Sequence, residues 1–152
     1  MIFLFGWLSF VCCEQHTAPA RSGAVVYQTY CTHCHQANGE GLDSRYPPLS
    51  GSEWLKGTLP AKILLNGLQG EITVKGKHFS NVMAPWGDVL SDEEIAEVIG
   101  FIRSSWENKE MFNGEKPLTA VEVAEIRKQY LHNKSWTSST LISSEQKNTS
   151  SE

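Results

Sequence analysis

Two cysteines three positions apart, followed at once by a histidine, carry the clearest chemical signal of this chain, Cys31-Thr32-His33-Cys34-His35. The C-x-x-C-H pattern is typical of covalent c-type haem attachment, in which each thiol forms a thioether with one haem vinyl group. The histidine after the second cysteine then lies under the ring, where its imidazole can bind the iron. The pattern therefore predicts a redox-active iron held by this segment.

Other chemistries for the cysteine pair find little support elsewhere in the sequence. A zinc site needs a second ligand pair at finger spacing, but the other cysteines, Cys12 and Cys13, lie near the N-terminus. His16, His78 and His132 are scattered and form no H-x-x-x-H pair. A thioredoxin-like pair needs a strand–helix–strand context, and a disulfide within the motif would close a very tight loop. Haem attachment is the favoured interpretation.

Length and composition are those of one domain with appendages. The chain has 152 residues, of which 40% are hydrophobic, and this is enough to build a core around a large apolar cofactor. The formal net charge is -4. A mildly acidic chain argues against a nucleic-acid partner.

Residues 1–13 resemble an export signal. The apolar run at 2–13 has about the length of a signal-peptide core and is too short for an ordinary membrane span, although no basic residue precedes it. Cys12 or Cys13 is a candidate for lipidation, which would attach the mature protein to a membrane. We predict an export or lipoprotein signal at 1–13 and a linker at 14–21; the alternative is a hydrophobic tail or an uncleaved anchor.

A helix leads into the cysteine motif, and a loop leaves it. Ser22 is placed to cap a helix that begins near Gly23 and continues to the cysteines. Residues 38–57 contain repeated glycine and proline, which predicts a loop with a short turn near its end. Beyond the loop, Pro60 suits the first position of a short helix that ends near Leu65.

Two capping boxes mark helices in the second half of the chain. Ser91 with Glu94, and Thr119 with Glu122, each place a hydroxyl and a carboxylate at a helix start. Between the helices, residues 72–74 and 77–79 lie on either side of a Lys-Gly turn, which predicts a small hairpin. The sequence therefore predicts a mainly helical architecture.

The end of the chain has a different composition. After about Asn133 the sequence turns to Ser, Thr, Asn, Lys and Glu, and such a segment buries little apolar surface. We therefore predict that residues 133–152 are disordered. The folded part is predicted as one domain at 22–107, followed by a linker and an additional helix at 108–132.

One axial histidine leaves the second iron position open, and Met83 is the favoured ligand for it. Met83 lies just ahead of Pro85, which holds the chain extended before a capped helix. A thioether ligand raises the reduction potential of haem iron. His78 and Met111 are the alternative ligands, and ordinary core packing is the alternative role for Met83.

Residues 22–107 resemble the class I cytochrome c family, and the resemblance rests on several motifs in the same order. Gly23 and Tyr27 match the glycine and the aromatic residue ahead of the first haem cysteine, and Val98 and Phe101 match the positions that pack on them. The haem site is matched by Cys31, Cys34, His35, Pro47 and Met83. The resemblance implies an all-α cytochrome c fold around one covalently bound haem c, with an added C-terminal helix.

The resemblance also implies a role for each matched site residue. Cys31 and Cys34 would carry the haem, and His35 and Met83 would bind its iron. Pro47 would accept a hydrogen bond from the His35 ring through its carbonyl, which orients the imidazole.

One residue departs from the family pattern, and two tryptophans are further candidates for contact with the haem. Ala84 separates Met83 from Pro85, where the family commonly has methionine directly before proline, and this leaves the ligand in place. Trp54 and Trp86 are candidates to hydrogen-bond a haem propionate, with simple packing as the alternative.

More narrowly, the segments at 48–54, 67–76 and 91–96 resemble a single-haem bacterial subgroup that also occurs fused to copper nitrite reductases and quinoprotein dehydrogenases. This implies an electron carrier rather than an enzyme, with the electron-transfer subunit of a larger oxidoreductase as an alternative. The carrier would pass one electron at a time between donor and acceptor proteins in the periplasm, such as an oxidase, reductase or dehydrogenase. The alternatives are a haem peroxidase-like enzyme and a gas-binding sensor, both of which need a labile distal ligand.

Overall fold

A computed structural model describes residues 19–131 and 134–149, so the predicted export signal with Cys12 and Cys13 lies outside the described part of the chain. The helices are α1 (Gly23–Tyr30), α2 (Thr32–His35), α3 (Leu59–Asn66), α4 (Asp92–Arg103), α5 (Asn108–Met111), α6 (Ala120–Tyr130) and α7 (Ser138–Thr149). Strands β1 (Ile72–Val74) and β2 (Lys77–Phe79) form an antiparallel hairpin, and a 3-10 turn spans Glu53–Leu55. The mainly helical architecture is as predicted.

Helices α1 and α4 cross closely because Gly23 has no side chain at their crossing. A Cβ on Gly23 would lie 2.0 Å from the Glu97 carbonyl oxygen and 2.8 Å from the Phe101 Cβ. Further along α1, the ring of Tyr27 packs 5.5 Å from the ring of Phe101. The packing expected from the glycine and aromatic positions is present. It holds the end of α1, and with it the cysteine-bearing α2, against the core.

The helix starts agree with the predicted capping boxes but not with the predicted cap of α1. Ser91 accepts the Glu94 N–H, and the Glu94 carboxylate accepts the Ser91 N–H; α6 begins with the same arrangement. Ser22 occupies the N-cap of α1, yet its side chain makes no capping hydrogen bond. The start of α1 is held instead by its packing on α4 and by an ion pair from Arg21 to Glu94.

This ion pair makes the stability of the fold sensitive to acid. The Arg21 Nε donates to the Glu94 Oε1 at 2.5 Å, and this bond lowers the pKa of Glu94 from 4.5 to about 2. Because the unfolded chain takes up the proton near pH 4.5 and the folded protein only near pH 2, the stabilisation is complete above pH 4.5. It is lost as the pH falls toward 2, since protonation then favours the unfolded chain.

We expect the free energy of unfolding of Glu94→Gln to decrease less steeply than that of the unaltered protein as the pH falls from 4.5 toward 2. Urea unfolding of the purified protein at a series of pH values measures it. The matched control is Glu97→Gln, which removes an exposed carboxylate from the same helix and leaves the Arg21 contact intact. Equal pH slopes for Glu94→Gln and the unaltered protein would contradict the assignment.

The core consists of two clusters of buried apolar side chains. The larger cluster joins α1, α3, α4 and α6. The smaller cluster joins the end of α3, the hairpin and the C-terminal segment, with the members Ile63, Leu68, Ile72, Val74, Phe79, Trp136 and Leu141. Met83 is half-buried where it packs against both clusters. It therefore lies at the junction between the two parts of the core.

The added helix α6 packs against α3 and α4. Val123 and Ile126 are buried, and Asn66 donates its side-chain amide to the Tyr130 carbonyl at 2.7 Å. Arg127 joins Asp92 at the start of α4, with 2.7 Å between Nε and Oδ1. Within the described residues, no helix has both the length and the apolar character needed to cross a membrane.

The structure differs from the prediction of a disordered tail at 133–152. Residues Ser138–Thr149 form α7, and the exposed fractions of Trp136 and Leu141 are only 9% and 0%. The polar composition concealed this packing because only two apolar side chains are buried among the described residues of the segment, and they form no apolar stripe. Helix α5 likewise falls where a linker was predicted. His132 and Asn133 lie outside the described residues.

Candidate haem site

The predicted site residues meet at one cleft beside α2 and the hairpin. Two adjoining cavities of about 220 and 80 Å³ form it. They share five lining residues, which are Cys31, His35, Leu68, Ile72 and Met83. Cys34 and Pro47 line the larger cavity. The fold thus brings together all five residues that the sequence singled out.

His35 is buried and oriented by a backbone carbonyl. Its Nδ1 lies 3.0 Å from the Pro47 oxygen. A carbonyl can only accept, so Nδ1 carries the hydrogen and the lone pair lies on Nε2. Burial lowers the pKa of His35, and the bond to Pro47 opposes that shift more weakly. The imidazole is therefore neutral at neutral pH, with Nε2 in the form that binds metals.

The two cysteines of the motif are not joined in a disulfide. Cys31 is buried and Cys34 is half-buried. Burial raises the pKa of the Cys31 thiol to about 11, so before haem is attached this thiol is a weak nucleophile for exchange reactions. Within the described residues, no group of three or more His, Cys, Asp or Glu side chains could hold a metal ion. The pair therefore lacks the companions that a zinc site would need there.

The loop that carries Pro47 is held by residues that sequence reasoning missed. Gly41 has a φ of +65°, and a Cβ there would lie 2.7 Å from the Pro47 oxygen. The fully buried Asn108 accepts the Gly51 N–H at 2.7 Å and donates to the Leu49 carbonyl at 3.0 Å. The glycines indicated a loop, but no spacing signal tells which atoms they approach, and Asn108 lies in an unremarkable polar stretch.

Met83 is held at the cleft by backbone pairing with Leu68. The Met83 N–H donates to the Leu68 carbonyl at 2.8 Å, and the Leu68 N–H donates to the Met83 carbonyl at 3.1 Å. Three residues later, the Trp86 N–H donates to the Leu64 carbonyl at 2.7 Å. The loop is thereby tied to α3 and to the segment after it. This places Met83 in the same walls as His35.

The alternative ligands lie elsewhere. The His78 side chain is 72% exposed, and its Nδ1 lies 3.0 Å from a Glu71 carboxylate oxygen. Met111 is 48% exposed on α5. Neither residue is among those that line the cleft.

Both tryptophans line the cleft. Trp54 lines the smaller cavity, and its indole N–H is already donated to the Thr73 carbonyl at 2.8 Å. This bond favours packing over a propionate contact for Trp54. Trp86 lines the larger cavity and packs its ring 5.1 Å from the ring of Tyr30.

Gly67 gives the Met83 loop the room it needs. It follows α3 with a φ of +74°, and a Cβ there would lie 2.5 Å from the Met83 carbonyl oxygen. We expect Gly67→Ala to push the loop away from α3 and to lower the free energy of unfolding by about 1–3 kcal/mol, because a left-handed alanine is also strained. Urea unfolding measures the loss.

The matched control for this substitution is Gly76→Ala. Gly76 has a φ of +75°, but nothing lies within 4 Å of its added Cβ. It therefore reports the strain of a positive φ without a steric contact, and a larger loss for Gly67→Ala reports the contact with Met83 together with the ψ of 175° at Gly67. Equal losses would mean that Gly67 is required only for its φ.

A buried histidine that presents Nε2, two neighbouring thiols and a methionine at one apolar cleft define the class: this is a c-type cytochrome. Comparison with known proteins gives the family. Residues 18–102 match the family described as cytochrome c oxidase, cbb3-type, subunit III, and the chain belongs to this family of cytochrome c domains.

Relatives agree with this assignment. Cytochrome c-552 of Thermus thermophilus is 39% identical over 118 residues, which cover 72% of this chain and 86% of the relative. The gluconate 2-dehydrogenase cytochrome c subunit of Pantoea cypripedii is 33% identical over 72% of this chain and 24% of the relative. The alcohol dehydrogenase (quinone) cytochrome c subunit of Gluconacetobacter polyoxogenes is 30% identical over 69% of this chain and 22% of the relative.

These comparisons confirm the predicted cytochrome c fold and an electron carrier rather than an enzyme. The family implies covalently bound haem c, and the donor set of the cleft fits that group. It offers two thiols for thioether bonds, an imidazole nitrogen with a free lone pair and a thioether sulfur, all within largely apolar walls.

Proposed function

We propose that this cytochrome carries one haem c, attached through Cys31 and Cys34, with His35 and Met83 as the two axial ligands. The observation that carries the proposal is the meeting of the His35–Pro47 pair and Met83 at one cleft. The sequence contains a single C-x-x-C-H motif, which supports a count of one haem.

The residues of the cleft suit a carrier that changes charge without rearranging. When bound, haem c supplies an iron that exchanges one electron between its ferric and ferrous states. The Pro47 carbonyl fixes the His35 ring and raises the basicity of Nε2. The backbone pairing of Met83 with Leu68 holds Met83 in the lining of the cleft, and the apolar walls exclude water.

The same geometry disfavours a peroxidase-like enzyme or a gas sensor. Either alternative needs an open iron position, and the enzyme also needs an acid–base group near it. His78, which could supply such a group, is paired with Glu71 at the surface. With Met83 in the walls of the cleft, a closed position is the better-supported arrangement.

The periplasm is the proposed location, and other redox proteins are the proposed partners. Residues 1–13 carry the features of an export signal, and bacteria attach c-type haem outside the cytoplasmic membrane. Lipidation of Cys12 or Cys13 would tether the carrier to that membrane. Dehydrogenases are proposed as one class of partner because several relatives are named as their cytochrome subunits.

Haem content is tested on the mature protein purified from cells that assemble c-type cytochromes. We expect acidified acetone to leave the pigment on the polypeptide, and the intact mass to exceed that of the polypeptide by one haem. Release of the pigment would overturn covalent attachment. The mass of the N-terminal peptide reports cleavage or lipidation in the same experiment.

Axial ligation is tested by optical spectroscopy of the same sample. We expect the ferric protein to have a methionine-to-iron charge-transfer band, and the reduced protein to resist carbon monoxide at neutral pH. A high-spin ferric spectrum with ready carbon monoxide binding would favour the enzyme or sensor alternatives instead.

A further inference from the structure

Leu68 is the middle member of a three-segment ladder of backbone hydrogen bonds. On one edge it exchanges two hydrogen bonds with Met83. On the other edge, the Trp136 N–H donates to the Gly67 carbonyl at 3.1 Å, and the Gln69 N–H donates to the Trp136 carbonyl at 2.8 Å. Met83 is therefore held by a segment that is itself held by Trp136.

Trp136 belongs to residues 134–149, here called the C-terminal strap, which lie beyond the part of the chain that matches the family. Its indole N–H donates to the Lys62 carbonyl at 3.0 Å. Leu141 of the strap is fully buried in the same cluster as Leu68. Other members of that cluster line the cleft. The strap therefore packs against residues that form one wall of the cleft.

An ion pair between the fully buried Lys62 and the partly exposed Glu145 fastens the strap to α3. The exposed fraction of Lys62 is 0%, and its Nζ lies 2.5 Å from the Glu145 Oε1 and 2.9 Å from the Ser144 Oγ. Removing the carboxylate would leave the buried ammonium with only the Ser144 hydroxyl and the Tyr130 ring beside it, and a buried charge without its counter-ion is strongly unfavourable. A pair of this kind adds little net stability over apolar packing, but it requires one geometry of the two helices.

We propose that Trp136 and the Lys62–Glu145 pair are positioning elements for Met83. They hold residues 67–69 in place, and this segment in turn keeps the Met83 sulfur at the cleft. None of the three residues lines the cleft, so they act through Leu68. The inference rests on the proposed function, in which Met83 binds the iron.

The test is the rate of cyanide binding to the full-length, haem-loaded ferric protein, because cyanide enters only after the methionine leaves. We expect Glu145→Gln to raise this rate about tenfold, the factor that corresponds to ~1.4 kcal/mol of lost stabilisation. The methionine-to-iron band should weaken in parallel. Trp136→Phe, which keeps an aromatic ring and removes the bond to Lys62, should act in the same direction if Glu145→Gln fails to fold.

The matched control is Glu115→Gln. Glu115 also pairs with a buried cation, Arg103, and its side chain is 34% exposed against 29% for Glu145. It accepts the Gly57 N–H and has no bond to the ladder. We expect this variant to lose stability in urea while it binds cyanide at the unaltered rate.

The outcomes separate this inference from the proposed function. If Met83→Ala itself keeps the band and the slow cyanide binding, the ligand assignment fails. If Met83→Ala opens the iron but Glu145→Gln and Trp136→Phe bind cyanide at the unaltered rate, only the positioning role is overturned. Faster binding in the strap variants, with no change in Glu115→Gln, supports it.

Discussion

Met83→Ala is expected to lower the reduction potential of the protein by roughly 0.1 V or more, within the ~0.8 V range that axial ligands span. A thioether ligand raises the reduction potential, and alanine has no atom that can replace its sulfur. The ferric protein should lose its methionine-to-iron band and bind cyanide rapidly. A spectroelectrochemical titration measures the potential.

Two control variants separate ligation from packing. Met111→Ala removes a methionine that is 48% exposed on α5, and it should leave the potential and the band unchanged. Met83→Leu keeps an apolar side chain of similar volume between the two clusters and removes only the sulfur. If Met83→Leu retained the band and the potential, Met83 would be ordinary core packing and the ligand assignment would fail.

The parts of the site that are encoded locally could be predicted from the sequence. Cys31 and His35 belong to one short motif, whose chemistry follows from residue type and spacing alone. The capping boxes at Ser91 and Thr119 are local for the same reason, and the structure has both. Pro47 needed the family resemblance, since spacing does not distinguish it from Pro48, and the structure places its carbonyl 3.0 Å from the His35 Nδ1.

The supports of the site could not be predicted in this way, because they depend on which distant atoms come close. Gly67 is recognisable as a helix terminator, but its approach to the Met83 carbonyl exists only in the folded chain. Asn108 holds the loop after Pro47 through hydrogen bonds with Gly51 and Leu49, which lie 57 and 59 positions before it in the sequence. No pattern within a helix or a loop encodes such a contact.

The C-terminal strap was missed because composition averages over a segment and cannot detect a single pairing. Its contact with the rest of the protein depends on Trp136, on Leu141 and on the Glu145 carboxylate, which binds Lys62 although the two residues are 83 positions apart in the sequence. Lys62 itself gave no signal, since a lysine in a short helix is ordinarily exposed. The exposed fraction of Lys62 is 0%, and the ion pair with Glu145 in the folded chain explains this burial.

Gly23→Ala is expected to lower the folding stability strongly. The added Cβ would lie 2.0 Å from the Glu97 carbonyl oxygen and 2.6 Å from its carbon. Both are backbone atoms of α4 and cannot rotate away, so α1 must lift from α4. Overpacking of this kind costs about 1–3 kcal/mol, and sometimes more. The movement also disturbs the contact of Tyr27 with Phe101, in the helix that leads directly into Cys31.

Gly100→Ala on α4 is the matched control, and it should change stability in the opposite direction. Gly100 is exposed within the helix, and nothing lies within 4 Å of its added Cβ. Alanine is favoured over glycine in a helix interior by ~1 kcal/mol, so this variant should be more stable in urea. Opposite signs for the same substitution on two touching helices would isolate the close crossing as the cause. If Gly23→Ala were as stable as Gly100→Ala, the fold would not depend on the direct contact of α1 with α4, and the helix that carries the haem motif would need another anchor.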